Sequence, residues 1–211
     1  MTADPGHQVP GGQPPPACPP AAAQEVLDFW FLRPGEAGHG QARDVWFRKD
    51  PVFDATVLQR FGAVIEAALA GGCTEWDRSP RGSLARILVL DQFTRNAFRD
   101  TPRAFAGDAL ALQAARRLVD DGQDAQLAPL ERWFAYMPFE HAEDLAAQER
   151  AVALFSRLAA DHDGFGEALD YAVRHRDVIA RFGRFPHRNA LLARASTAEE
   201  LDFLRKPGSR F

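Results

Sequence analysis

The stretch Leu84-Ala85-Arg86-Ile87-Leu88-Val89-Leu90-Asp91-Gln92-Phe93-Thr94-Arg95-Asn96-Ala97-Phe98-Arg99 decides the fold. Its first half is apolar on nearly every side, which in a chain of this length predicts a helix surrounded by other helices. The second half turns polar without leaving the buried direction. Asp91 and Arg95 lie one turn apart on the line of Leu84 and Leu88, and Gln92 and Asn96 form a second pair beside them. Burying such groups is costly unless they are paired, so this helix requires polar partners from elsewhere in the chain.

Working outward, the same helical period recurs on both sides. Val26, Leu27, Phe29, Trp30 and Phe31 predict a short apolar helix ended by Pro34-Gly35. Asp50-Pro51 offers a cap and a first-turn proline for a helix carrying Phe53, Val57, Phe61, Val64 and Ala68, stopped by Gly71-Gly72. Ser79-Pro80 starts the central helix. Thr101-Pro102 repeats that start for a helix with Phe105, Asp108, Leu112, Ala115 and Val119 on one face. Pro129 opens a segment holding Trp133, Phe134 and Tyr136, expected to be cut at Met137-Pro138. A helix from about His141 to Ala160 then presents Leu145, Gln148, Val152 and Phe155, and the next aligns Tyr171, His175, Val178 and Phe182. Ser196 or Thr197 with Glu200 forms a capping box for a last helix around Leu201 and Leu204. No stretch alternates as a strand would. The expectation is an all-α fold of seven or eight helices joined by short loops, successive helices lying antiparallel.

Composition sets the frame. The chain has 211 residues, 46% of them hydrophobic, with a formal net charge of -4. That fits one domain, here expected over residues 21–211, and gives no case for nucleic acid or an anionic membrane as partner. Residues 1–20, rich in proline and glycine, are expected to be a disordered tail. No apolar run is long enough to span a bilayer, and the start of the chain lacks the pattern of a secretory signal. Cys18 and Cys73 are too few and too badly placed for a disulfide framework, so a reducing compartment, the cytoplasm, is the simpler reading.

The useful coincidence is one of phase. Asp91 and Arg95, Asp108, His141 and Gln148, and His175 come from four predicted helices, and each lies in its helix's apolar stripe. Buried polar side chains need partners, so those helices must meet. Two readings fit: a structural network of ion pairs and satisfied histidines, or a pocket with that network as its floor. The turn Arg181-Phe182-Gly183-Arg184-Phe185-Pro186-His187-Arg188-Asn189 adds arginines, whose rigid forks suit phosphate or carboxylate. The expected site therefore has His141, His175 and Asp91 as the proton-handling groups, histidine titrating near neutrality. Arg95, Asn96, Arg99, Asp108, Glu140, Arg184, Arg188 and Asn189 are the ligand-binding candidates. The ligand expected is a small anionic molecule, held by a hydrolase- or transferase-like enzyme. The alternative is a non-catalytic helical scaffold gripping a peptide or protein. Glu140-His141-Ala142-Glu143 matches neither His-Glu-x-x-His nor Glu-x-x-His spacing, so no metal is expected. Nor does any glycine-rich cofactor fingerprint or Gly-x-Ser-x-Gly elbow occur, and no cofactor is expected.

Four landmarks carry a resemblance: Val26-Leu27-Asp28-Phe29-Trp30-Phe31, Asp91 through Arg99, Met137-Pro138-Phe139-Glu140-His141-Ala142-Glu143, and Arg181 through Asn189. Taken together they resemble the bacterial DUF924 family, over about Val26 to Leu204. The resemblance implies a helical fold of the tetratricopeptide-repeat-like kind, a curved array of helix pairs. It implies no activity.

Overall fold

The computed structural model describes residues 16–209, and within them every regular element is helical. The elements are α1 (Pro20–Phe31), α2 (Pro51–Leu69), α3 (Pro80–Leu88), α4 (Thr94–Ala97), α5 (Asp108–Asp120), α6 (Pro129–His141), α7 (Leu145–Asp161), α8 (Gly166–Phe182) and α9 (Ala198–Leu204). A π turn over Val89–Phe93 joins α3 to α4 without a break, so α3 and α4 form one rod, and the described residues hold eight helices and no strand.

That rod is the axis of the molecule. Every residue from Gly82 to Leu88 is buried, and α3 packs against α1, α5 and α6, whose Trp30, Phe134 and Phe139 are fully buried. An all-round apolar surface has no solvent face, and so the helix lies at the centre. The starts follow side-chain chemistry. The Asp50 carboxylate accepts from the Val52 and Phe53 amides, Ser79 Oγ from Gly82, Asp144 from Ala147, and Thr197 forms the expected box with Glu200.

Two expectations built on proline are corrected. Thr101-Pro102 does not open α5: Thr101 Oγ1 turns back to donate to the Phe98 carbonyl at 2.7 Å, Pro102–Phe105 makes a 3₁₀ turn, and α5 begins at Asp108. Nor does Pro138 cut α6. The buried proline lacks only its own N–H, and the helix continues for another turn to His141. His141 therefore ends α6 rather than starting α7. Gln148, from α7, closes that end by donating from Nε2 to the Glu140 and Ala142 carbonyls at 2.5 and 2.7 Å.

The cysteine expectation is also corrected. Cys18 and Cys73 are joined in a disulfide, which lies against Trp76, whose indole N–H donates to the Cys18 carbonyl at 3.1 Å. A disulfide belongs to oxidising surroundings, so the cysteines no longer argue for the cytoplasm and the compartment stays open. Of the tail expected over residues 1–20, residues 1–15 lie outside the described residues. Cys18 itself is buried. No helix among the described residues is long and apolar enough to cross a membrane.

Candidate functional site

The π turn prepares the site. Widening the helix frees backbone carbonyls, and side chains from the next turn take them: Thr94 Oγ1 donates to the Leu90 carbonyl at 2.8 Å and Arg95 Nη1 to the Asp91 carbonyl at 2.7 Å. Asp91 is wholly buried. Its Oδ1 meets Arg95 Nη1 at 3.0 Å and His141 Nδ1 at 2.7 Å, and its Oδ2 accepts from Gln92 Nε2 at 2.6 Å. Arg95 also forks onto Asp108 of α5, Nη1 to Oδ1 at 2.8 Å and Nη2 to Oδ2 at 3.2 Å. Arg188, from the 3₁₀ turn Pro186–Arg188, reaches the same carboxylate at 2.9 Å and donates to the His141 carbonyl at 3.1 Å. His175 of α8 approaches Glu140 of α6 at 3.0 Å and stands 6.3 Å from His141, ring to ring.

The charge states follow from burial and neighbours. Burial alone would raise Asp91, but the Arg95 guanidinium and His141 outweigh it and hold the carboxyl well below the usual carboxylate range. Glu140 goes the other way. Burial, with the Asp91 charge nearby, pushes it up to about 8, so it carries its proton at neutral pH. Burial and the Arg95 charge lower His141, leaving it neutral. Since Asp91 can only accept, the His141 proton sits on Nδ1 and the lone pair on Nε2, the arrangement of an oriented general base. Burial also lowers His175 to about 3, and lowers His187 to about 4, helped there by Arg188. His175 donates from Nδ1 to the Tyr171 carbonyl at 2.9 Å.

Beside this network lies a recess of about 520 Å³, within the range of small-molecule sites. Its floor includes Gln92, Arg95, Glu140, His141, His175 and Arg188; Asn96, Arg99 and Asp100 form one side, and Trp46, Phe47, Phe105, Trp133 and Tyr171 supply aromatic wall. Arg99 is held by Asp54 of α2, through Nε at 2.7 Å and Nη2 at 2.9 Å, and Asn96 Nδ2 donates to the same carboxylate at 2.7 Å.

Of the residues singled out from sequence, Asp91, Arg95, Asn96, Arg99, Asp108, Glu140, His141, His175 and Arg188 converge on or directly beneath the recess. Two do not. Arg184 forks onto Glu200 at 2.7 and 2.9 Å, and Asn189 is engaged by Ser196 and Arg194, so both pin α9 and its loop to the turn instead. Asp54 was missed because it reads as an ordinary first-turn acid of α2, with its partners more than forty residues away. The aromatic wall was missed because Trp46, Phe47 and Trp133 look the same in sequence as core aromatics. Among the described residues no group of three or more His, Cys, Asp or Glu side chains is arranged to hold a metal ion.

An all-helical chain whose central rod turns Asp91 toward a histidine at the end of a proline-containing helix can be set beside known proteins. The profile of a family described as "Bacterial protein of unknown function (DUF924)" matches residues 26–208, and the chain belongs to that family. A solved structure of a protein of unknown function, ATU0120 from Agrobacterium tumefaciens, is similar with 42% sequence identity and a TM-score of 0.77, over 88% of this chain and 97% of that one. No curated protein matches.

Proposed function

We propose that the recess binds a small molecule bearing a phosphate or carboxylate, and that His141, oriented by Asp91, serves there as the proton acceptor of a hydrolase- or transferase-like reaction. The supporting observation is an unused donor. Arg99 gives Nε and Nη2 to Asp54, and its Nη1 makes no hydrogen bond among the described residues although the side chain lines the recess. A guanidinium held on one edge by a carboxylate presents its other N–H groups in a fixed direction, suited to an oxyanion. Arg95 is paired with the buried Asp91 and the half-buried Asp108, and Arg188 with Asp108, so the ligand is held by oriented donors rather than by an excess of positive charge.

His175 and the protonated Glu140 complete the polar floor in this reading. The rival, a scaffold that grips an extended peptide, calls for a long open groove, and a compact recess supports it less. Consecutive packing of α6, α7 and α8 is what a curved, tetratricopeptide-like stack would use, and we read the fold that way. Neither nucleic acid nor membrane enters the proposal, the net charge of -4 offering no footprint for a polyanion. The test is isothermal titration of the full chain with inorganic phosphate, in parallel with Arg99→Ala. Saturable binding weakened at least tenfold by the substitution is expected. Binding unaffected by the substitution would remove the site from this recess, and absence of binding by phosphate and by acetate would remove the anion.

A further inference from the structure

Resting on that anion reading, we infer that the ligand also carries a planar ring, stacked on Phe47 with the anionic group on Arg99. Phe47 is the unusual residue. It is a phenylalanine with 56% of its surface exposed, standing at the recess. One side of its ring is covered by Trp133, at 5.2 Å between centroids and 25° between planes, and Trp133 is in turn braced edge-on by Phe165 at 5.9 Å. The rings thus form a backed wall, and a contiguous aromatic patch beside a recess is the kind of exposed apolar surface that marks a ligand groove. Tyr171, 40% exposed, lines the same recess from α8.

The anion end lies close to this wall. Lys49, two residues from Phe47, is paired with Asp100 at 2.7 Å, and Asp100 is the neighbour of Arg99. The ion pair ties the loop that carries the ring to the segment that carries the guanidinium. A recess of about 520 Å³ treated as a sphere is about 10 Å across, which has room for a ring and a charged group together. The chemical class is therefore an aryl or heteroaryl phosphate or carboxylate. An aliphatic anion would satisfy Arg99 and leave Phe47 in water.

The test compares four probes on the wild-type chain, phenyl phosphate, cyclohexyl phosphate, inorganic phosphate and the uncharged phenol, each by calorimetry and by quenching of tryptophan fluorescence. Stacking on an aromatic platform predicts that phenyl phosphate binds about tenfold or more tighter than cyclohexyl phosphate. In Phe47→Leu, with folding checked by circular dichroism, that ratio should fall to about one. If the two organic phosphates bind equally in the wild type, or if Phe47→Leu leaves the ratio unchanged, the ring inference is overturned while anion binding stands. If phenol binds as well as phenyl phosphate, the anion reading fails and the ring wall alone survives. If none of the probes binds, both fall together.

Discussion

Glu140 and Asp91 show how one buried network holds two carboxyl groups in opposite states. Glu140 keeps its proton to about pH 8 in the fold and only to about 4.5 when unfolded. Between those values the native protein binds the extra proton, so stability falls as pH rises, by at most about 1.4 kcal/mol per pH unit. His175 and His187 act in the other direction. Their folded values of about 3 and about 4 lie below the ordinary 6.5, so their contribution is present above pH 6.5 and is lost as pH falls through the acid range. From pH 6.5 to 8 Glu140 is unopposed by them. The urea midpoint of the wild type should decline across that interval, and Glu140→Gln, which stays neutral at every pH, should flatten the decline. An equally steep decline in the variant would assign the titration to another group. Arg95 supports a second expectation, because it neutralises Asp91 and Asp108 together. Arg95→Ala leaves the buried Asp91 with His141 and Gln92 alone, at an expected loss of about 3 kcal/mol in chemical denaturation. Arg95→Lys should recover only part of that, since an ammonium cannot fork onto Asp108. A denaturation curve for Arg95→Ala that overlays the wild type would contradict the account.

At the scale of elements, the π turn and α5 are locked to each other by a close approach. A Cβ on Gly107 would stand 2.1 Å from the Leu90 carbonyl oxygen, the same oxygen that Thr94 Oγ1 occupies. Gly107→Ala must push α5 off the turn that carries Asp91, and a loss of about 1–3 kcal/mol is expected. Gly166→Ala is the contrast: nothing lies within 4 Å of the added carbon, at the first residue of α8, and stability should be unchanged or rise by a few tenths of a kcal/mol. Equal effects at the two positions, read by thermal denaturation, would dismiss the close-approach explanation. The elements were legible in sequence wherever apolar period and cap agreed, as at Asp50-Pro51 and Ser79-Pro80. Reading failed where proline was treated as punctuation. Pro138 sits inside α6, and Thr101 satisfies the preceding turn rather than the following helix. The site was legible to the extent that its polar groups interrupt apolar stripes, which marks Asp91, Asp108, His141 and His175. Asp54 and Phe47 interrupt nothing, and only the three-dimensional neighbourhood distinguishes them. Arg184 and Arg188 occupy one turn four residues apart, yet one pairs with Glu200 and the other with Asp108, a division that local sequence does not encode.

For the molecule as a whole, the covalent link between Cys18 and Cys73 changes what the unfolded chain can do more than what the folded one looks like. The two cysteines are 55 residues apart, and their bond closes a loop containing α1 and α2 onto the turn that leads into the central rod. In the chain-entropy description, closing a loop of this length stabilises the fold by about 4 kcal/mol at room temperature. Non-covalent contacts also hold the segment there: the Trp76 indole donates to the Cys18 carbonyl, and the Cys18 amide to the Glu75 carboxylate. Reduction should therefore leave the folded structure and its circular dichroism in place while lowering the urea-derived stability by about 4 kcal/mol. For a chain of this size that corresponds to a fall of about 10 °C in Tm. Cys18→Ser should reproduce the effect without reductant and be insensitive to its addition, which separates loss of the link from any other action of the thiol reagent. The recess is lined by the Trp46–Phe47 turn, the central rod and the segment after it as far as Phe105, α6, α8 and the turn around Arg188, none of which holds Cys18 or Cys73, so phosphate titration of the reduced protein below its new Tm should match that of the oxidised form. Two free thiols in the purified, unreduced protein, or a midpoint indifferent to reduction, would show that the first segment is held by packing alone.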